Sequence, residues 1–277
     1  MKQFKVGLQL YSVRGDMEKD MDKTLAQVKE MGYDYVEFAG YYGRSAEEVR
    51  AMLDKHGLTC ISVHQVYSVF LEDAKTNIEY LKTIGAKYCA MPWMGLEKHA
   101  GHGEFEKTVQ EFVQVGSVLK ENGIQLLYHN HEFEFESFEG KYLLDWLYDS
   151  VPEELLKTQL DTCWVKYAGE DPCAYLKKYA GRSPVVHLKD FVCDKLNAGA
   201  AYALIDESGK AKDKPTREEN HFDYRPLGDG LQDIPAILAA AEEAGAEYVI
   251  VEQDEAKTAT PLESARRSRE YLKSLGL

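Results

Sequence analysis

Short apolar runs alternate with longer amphipathic ones eight times along this chain, and that alternation leaves few folds open. The runs are Lys5–Leu10, Tyr35–Phe38, Thr59–Val63, Tyr88–Met91, Ile124–His129, Leu156–Leu160, Val185–Leu188 and Tyr248–Val251. Behind them come segments with helical spacing: Met17–Met31, Ser45–His56, Asp73–Ile84, Phe105–Glu121, Tyr142–Ser150, Pro172–Tyr179, Asp233–Ala244 and Pro261–Leu275. The punctuation agrees. Ser45 and Glu48 read as a capping box, and Asp171-Pro172 as an N-cap with Pro at the first helical position. Gly32, Gly57, Gly85, Gly123 and Gly245 read as helix stops just before the next strand.

Strands that alternate with helices pair in parallel. Eight such units in 277 residues predict one domain over 1–277, a closed (β/α)₈ TIM barrel with a long polar insertion around 191–230. An open doubly wound sheet is the alternative, but no G-x-G-x-x-G follows the first strand.

The charge narrows the partners. With 33 basic and 47 acidic residues the net charge is −14, which repels phosphate backbones and anionic lipid, so neither nucleic acid nor a membrane is expected. The N-terminal MKQFKVGLQLYSVR has too short an apolar stretch for a signal peptide. Five cysteines form no C-x-x-C pair, and Cys60 and Cys89 fall in strand runs, as free thiols of a reducing cytoplasm would.

Polar groups gather at one end of the strands. The C-terminal ends carry Gln9 and Tyr11, Glu37, His64 and Gln65, Pro92 and Trp93, then His129, Asn130, His131, Glu132 and Glu134. Asp161 follows, then His187, Lys189 and Asp190, and finally Glu252, Gln253 and Asp254; the strand starts carry nothing comparable. Barrel active sites are built at that end, and ionisable groups there are costly unless paired or coordinating. Imidazoles with carboxylates suit a divalent ion such as Mn²⁺, Zn²⁺, Co²⁺ or Fe²⁺. Taken singly, each group has a plain alternative. Glu37 is equally a loop brace, Asp161-Thr162 a turn or cap pair, and Trp93 a packing residue. His99 and His102, in the stretch HAGHGE, read as loop residues.

At these same residues the chain resembles the sugar phosphate isomerase/epimerase superfamily, the xylose isomerase-like barrels. The resemblance runs through GLQLYSVR at 7–14, YHNHEFEF at 128–135, LDTCWVKYAGEDP at 160–172, HLKD at 187–190, PLGDG at 226–230 and VEQD at 251–254. It implies one metal ion, Mn²⁺ first among the candidates, held by Asp161, His187 and Glu252. His129 stands where relatives carry a glutamate. That departure weakens a symmetric epimerisation between two glutamates, as in tagatose 3-epimerase-like members, and is similar to the YHxH motif of inosose dehydratases. Trp164 replaces a histidine common in relatives.

The function so implied is proton abstraction beside the carbonyl of a sugar, keto-sugar or cyclitol, as an isomerase or epimerase of carbohydrate metabolism, with an inosose dehydratase-like lyase as runner-up. Glu252 is the expected base, with His131, Lys189 and Glu134 positioning or protonating hydroxyls. Gln9, Tyr11, Glu37, His64, Trp93, Trp164 and Arg225 are expected to bind a small polyol or keto-sugar. His221 and Arg225 would reach it from a lid in the 191–230 insertion. An endonuclease IV-like phosphodiesterase would need three metals and a basic face, and a sugar-binding barrel without catalysis is the remaining alternative. Barrels of this kind commonly pair, so a homodimer is the implied assembly.

Overall fold

The computed structural model describes residues 4–197 and 217–277. Eight parallel strands close into a barrel: β1 Lys5–Gln9, β2 Tyr35–Phe38, β3 Thr59–His64, β4 Tyr88–Met91, β5 Gln125–His129, β6 Leu156–Asp161, β7 Val185–Leu188 and β8 Tyr248–Val251. Each pairs with its sequence neighbours, and β8 closes on β1 through Lys5↔Tyr248 to Leu8↔Val251. The expected closed barrel is therefore the one observed, not the open doubly wound sheet.

Two apolar layers hold it. The larger packs outward strand faces against the helices, with Leu8, Val36, Val63, Leu126, Leu160, Val186 and Val249 buried there. The smaller fills the interior with Ile61, Ala90, Leu127, Val185, Tyr248 and Ile250, flanked by Tyr35 and Tyr88. Because side chains alternate across a strand, the next inward position on several strands is polar. The register then aligns these positions: Gln9↔Glu37, His129↔Gln159 and Asp161↔His187. That polar layer lies directly above the apolar one.

The caps explain the helix boundaries, including those the sequence misassigned. Ser45 and Glu48 form the capping box, Asp171 accepts from Cys173 N, and Gly32, Gly57 and Gly85 take left-handed conformations at helix ends. The expected single helix Met17–Met31 is two, Arg14–Lys19 and Met21–Met31, because extended Asp20 caps the second through Lys23 N. The expected helix Asp73–Ile84 starts earlier, at Ser68, with a kink at Asp73. Asp161 starts a helix, Thr162–Tyr167, that periodicity did not reveal.

Within the polar insertion, Asp190–Val192 pairs antiparallel with Asp223–Arg225. Asp190 fastens this excursion: its carboxylate accepts from the backbone N–H groups of Phe191, Gly228, Gly230 and Gln232. A Cβ at Gly230 would collide with Asp190 Oδ1 and Phe191 O, so glycine is required there. The middle of the expected lid, 198–216, lies outside the described residues. No helix among the described residues is long and apolar enough to cross a membrane.

Candidate metal centre and cleft

Glu37 is the hub of the polar layer. Its Oε1 accepts from Gln9 Nε2 at 2.7 Å and its Oε2 from Gln159 Nε2 at 2.5 Å. His64 Nε2 stands 3.0 Å and His187 Nε2 2.8 Å from Oε1. Burial alone would raise this carboxyl, but His64 and His187 beside it hold it well below the usual carboxylate range. Glu37 is ionised and braced on all sides.

Above it four ligand-type groups converge. Gln159 Oε1 lies 3.2 Å from His129 Nδ1, which leaves His129 Nε2 facing Asp161 Oδ2 at 3.7 Å and Glu252 Oε2 at 4.0 Å. Asp161 does two jobs. Its Oδ1 caps the following helix through Cys163 N and Trp164 N at 2.8 and 3.1 Å, while Oδ2 is turned to the cluster. His187 Nδ1 lies 2.9 Å from Glu252 Oε2. One ligand atom from each of His129, Asp161, His187 and Glu252 falls within 4.8 Å of the others, all four residues buried.

The donor set fits a divalent ion. Two imidazole nitrogens and two carboxylate oxygens suit Mn²⁺, Zn²⁺, Co²⁺ or Fe²⁺. Glu37 behind His187 and Gln159 behind His129 are the partners that fix imidazole ligands in place. Asp161 Oδ2 is buried without a well-formed hydrogen bond, although Lys189 Nζ is 3.0 Å away.

Lys189 is the buried cation of this cluster. Its Nζ lies 2.8 Å from Glu252 Oε2, 3.0 Å from Asp161 Oδ2 and 3.2 Å from Asp254 Oδ1. Burial opposes its charge, yet Asp161, Asp254 and Glu252 hold the ammonium well above its ordinary pKa. Burial likewise opposes the charge on Glu252, where Lys189 and His187 prevail and hold the carboxyl well below the usual range. His187 resists burial through Glu37 and Glu252 and rises to about 10, whereas burial, helped by His187 and His64, drives His129 well down.

The cluster opens into a cleft of about 680 Å³ whose lining includes Tyr11, His64, Trp93, His129, His131, Lys189 and Glu252 among the expected site residues. Others expected in contact with substrate lie elsewhere. Gln9 and Glu37 are fully buried in the layer beneath. Trp164 is buried behind His131, its ring 5.6 Å away and stacked on Phe222. Arg225 pairs with Asp223 two residues away in the hairpin, and exposed His221 pairs with Asp194 at 2.6 Å. Neither Arg225 nor His221 is part of the cleft lining. His99 does lie in a loop, fully buried against Phe133, and burial lowers its pKa to about 3. Gln159, bridging Glu37, His64 and His129, was missed. Its signal was the two-residue spacing from Asp161, which puts both on one face of β6. Asp254, the outer partner of Lys189, also accepts from Tyr224 Oη at 2.5 Å.

Glu134 requires a correction. It lies fully buried outside the cleft lining, accepting from Tyr128 Oη at 2.6 Å and His131 N at 2.7 Å. There it positions the turn carrying His131. Burial raises its pKa from 4.5 to about 8, against those two hydrogen bonds. A carboxyl with a raised folded pKa is no burden when neutral in both states; its cost grows as pH rises from 4.5 to about 8 and is constant above. Glu134→Gln should therefore gain on the parent by on the order of 3 kcal/mol between pH 5 and pH 8. Parallel urea-unfolding stabilities at the two pH values would refute this.

A closed parallel barrel with a buried His/Asp/His/Glu cluster on its C-terminal rim defines the general class of barrel proteins whose site lies at the strand ends. The chain belongs to the xylose isomerase-like TIM barrel family, whose sequence profile matches residues 25–275. An inosose dehydratase of Mesomycoplasma hyopneumoniae is 26% identical over 275 residues, spanning 92% of this chain and 88% of that one. A sugar phosphate isomerase/epimerase from Parabacteroides distasonis superposes with a TM-score of 0.78 at 21% identity, over 99% of this chain and 95% of that one. The IOLI protein, solved with a bound zinc atom, superposes at 0.69 and 15% identity, over 98% and 97% of the two chains.

Proposed function

We propose that this chain is a divalent-metal-dependent isomerase or epimerase that moves a proton at the carbon beside the carbonyl of a sugar, keto-sugar or cyclitol. The observation that carries this is the convergence of His129, Asp161, His187 and Glu252 within 4.8 Å, beside Lys189 and open to the cleft. His129, Asp161, His187 and Glu252 would hold the ion, and a zinc atom in a relative of the same fold supports that reading. When bound, the ion supplies Lewis-acid stabilisation of the negative charge that grows on the substrate oxygen.

The chain's own groups do the rest. Glu252, ionised and lining the cleft, takes the α-proton. Lys189 returns a proton to oxygen or holds the oxygen by hydrogen bonding, and Asp254 keeps its ammonium in place. His131, which burial keeps neutral with a pKa of about 3, hydrogen-bonds a hydroxyl from the cleft lining.

A second reading is dehydration of an inosose. His129 in place of a second carboxylate leaves Glu252, beside Lys189, as the one member of the quartet's carboxylates that lines the cleft, which suits removal of a proton and departure of a hydroxyl. The relatives named inosose dehydratase, at 26% and 27% identity, favour it too. The test is proton NMR in D₂O with the metal-loaded protein and a panel of ketoses and inososes. Loss of the α-proton signal is expected, with about one ion per chain; a new unsaturated product selects dehydration. No exchange with any member of the panel would overturn the proposal.

A further inference from the structure

The cleft has two unlike walls. One is polar, with His129, His131, Lys189, Glu252 and Asp254; the other is apolar, with Tyr11, Val66, Pro92, Trp93 and Phe133. The apolar wall is strongly exposed: Trp93 is 52%, Val66 42% and Tyr11 41% accessible. These are three of the five large apolar side chains so exposed among the described residues, and they share one mouth. Scattered exposed apolar groups need no explanation, but a cluster at a cleft marks a binding surface.

The wall is also preorganised. The Arg14 guanidinium lies over the Tyr11 ring at 4.1 Å and is tied to Tyr11 O and Asp254 O at 3.0 and 2.7 Å. Phe133 stacks on His131, ring centres 5.8 Å apart, and so joins the apolar wall to the polar one. At 680 Å³ the cleft lies within the roughly 300–1,000 Å³ of sites for drug-sized ligands, more room than one polyol ring fills.

Charge sets the other limit. Among the described residues the only lysine or arginine lining the cleft is Lys189, already shared among Asp161, Glu252 and Asp254, two of which line the cleft themselves. A phosphate dianion would have to compete with Glu252 and Asp254 for that one ammonium, whereas a neutral ring would not.

We infer that the substrate is an uncharged keto-sugar or cyclitol ketone bearing an aromatic substituent, a keto-glycoside in kind, and not a sugar phosphate. Its polyol ring lies over the His/Asp/His/Glu cluster, and its aromatic group lies against Tyr11, Val66 and Trp93. This rests on the proton-transfer reading of the cluster and adds the substrate class.

The test is calorimetric binding to the metal-loaded protein of phenyl glycosides, methyl glycosides and 6-phosphates across a panel of hexoses. In at least one series the phenyl glycoside binds about tenfold tighter than the methyl glycoside, and the phosphate binds weakest. Trp93→Ala brings the phenyl-to-methyl ratio close to one, and Trp93→Phe retains most of it. The inference falls if no phenyl glycoside binds, if the ratio is near one in every series, or if a phosphate binds tightest. It falls also if Trp93→Ala splits an oligomer without changing the ratio, since the rim is then an interface between copies. A large ratio with no α-proton exchange in any ketose or inosose would leave the substituent site standing and sink the proton-transfer reading.

Discussion

Glu252→Gln should slow exchange of the substrate α-proton about 10²- to 10⁴-fold in the metal-loaded protein. The carboxylate lies where base and metal donor coincide: Oε2 is 2.9 Å from His187 Nδ1 and 2.8 Å from Lys189 Nζ, and the residue lines the cleft. Glutamine keeps the shape but accepts no proton. Part of the loss will come through a weaker ion, so metal content and exchange rate must be measured on the same sample. A variant that keeps its ion and more than about a tenth of the parent rate would move the base elsewhere, to Asp254 or His131.

The second large effect is on the floor. Glu37→Ala removes the common acceptor of Gln9, Gln159, His64 and His187, all in the buried layer. Deleting one member of a buried charged network costs about 3–5 kcal/mol, because its partners stay desolvated and unpaired. It also frees the far nitrogen of His187, and losing such an orienting partner weakens metal binding about 10- to 100-fold. Urea unfolding and metal titration check the two separately, and Glu37→Gln, which keeps one acceptor oxygen, should lose less of both. A loss under about 1 kcal/mol for Glu37→Ala would mean that the network does not hold the floor together.

The barrel was legible because its signal repeats. Eight strand runs each lie within a residue or so of an observed strand, and the glycine stops mark real helix ends. The metal-type quartet was legible for a related reason: closing a parallel barrel brings all strand ends to one rim, so His129, Asp161, His187 and Glu252 had to meet. What escaped were choices made by single side chains. Nothing local distinguishes Glu134, buried on Tyr128, from Glu252, open to the cleft. Arg225 looked available, but Asp223 stands two residues away, and extended pairing with Asp190–Val192 puts the two on one face. Asp161 as cap or as ligand was posed as a choice, yet its two oxygens divide the roles.

The grip of Asp190 on Gly228, Gly230 and Gln232 reaches beyond stability. It pins the returning end of the excursion beside its starting point, at the base of the barrel rim. Once both ends of a segment are pinned, lengthening or shortening it changes closure entropy only logarithmically, about 0.6 kcal/mol per doubling. A change of length between these pinned ends therefore need not disturb Asp161, His187 or Glu252, whereas replacing Phe222 or Tyr224 would uncover Trp164 or release Asp254.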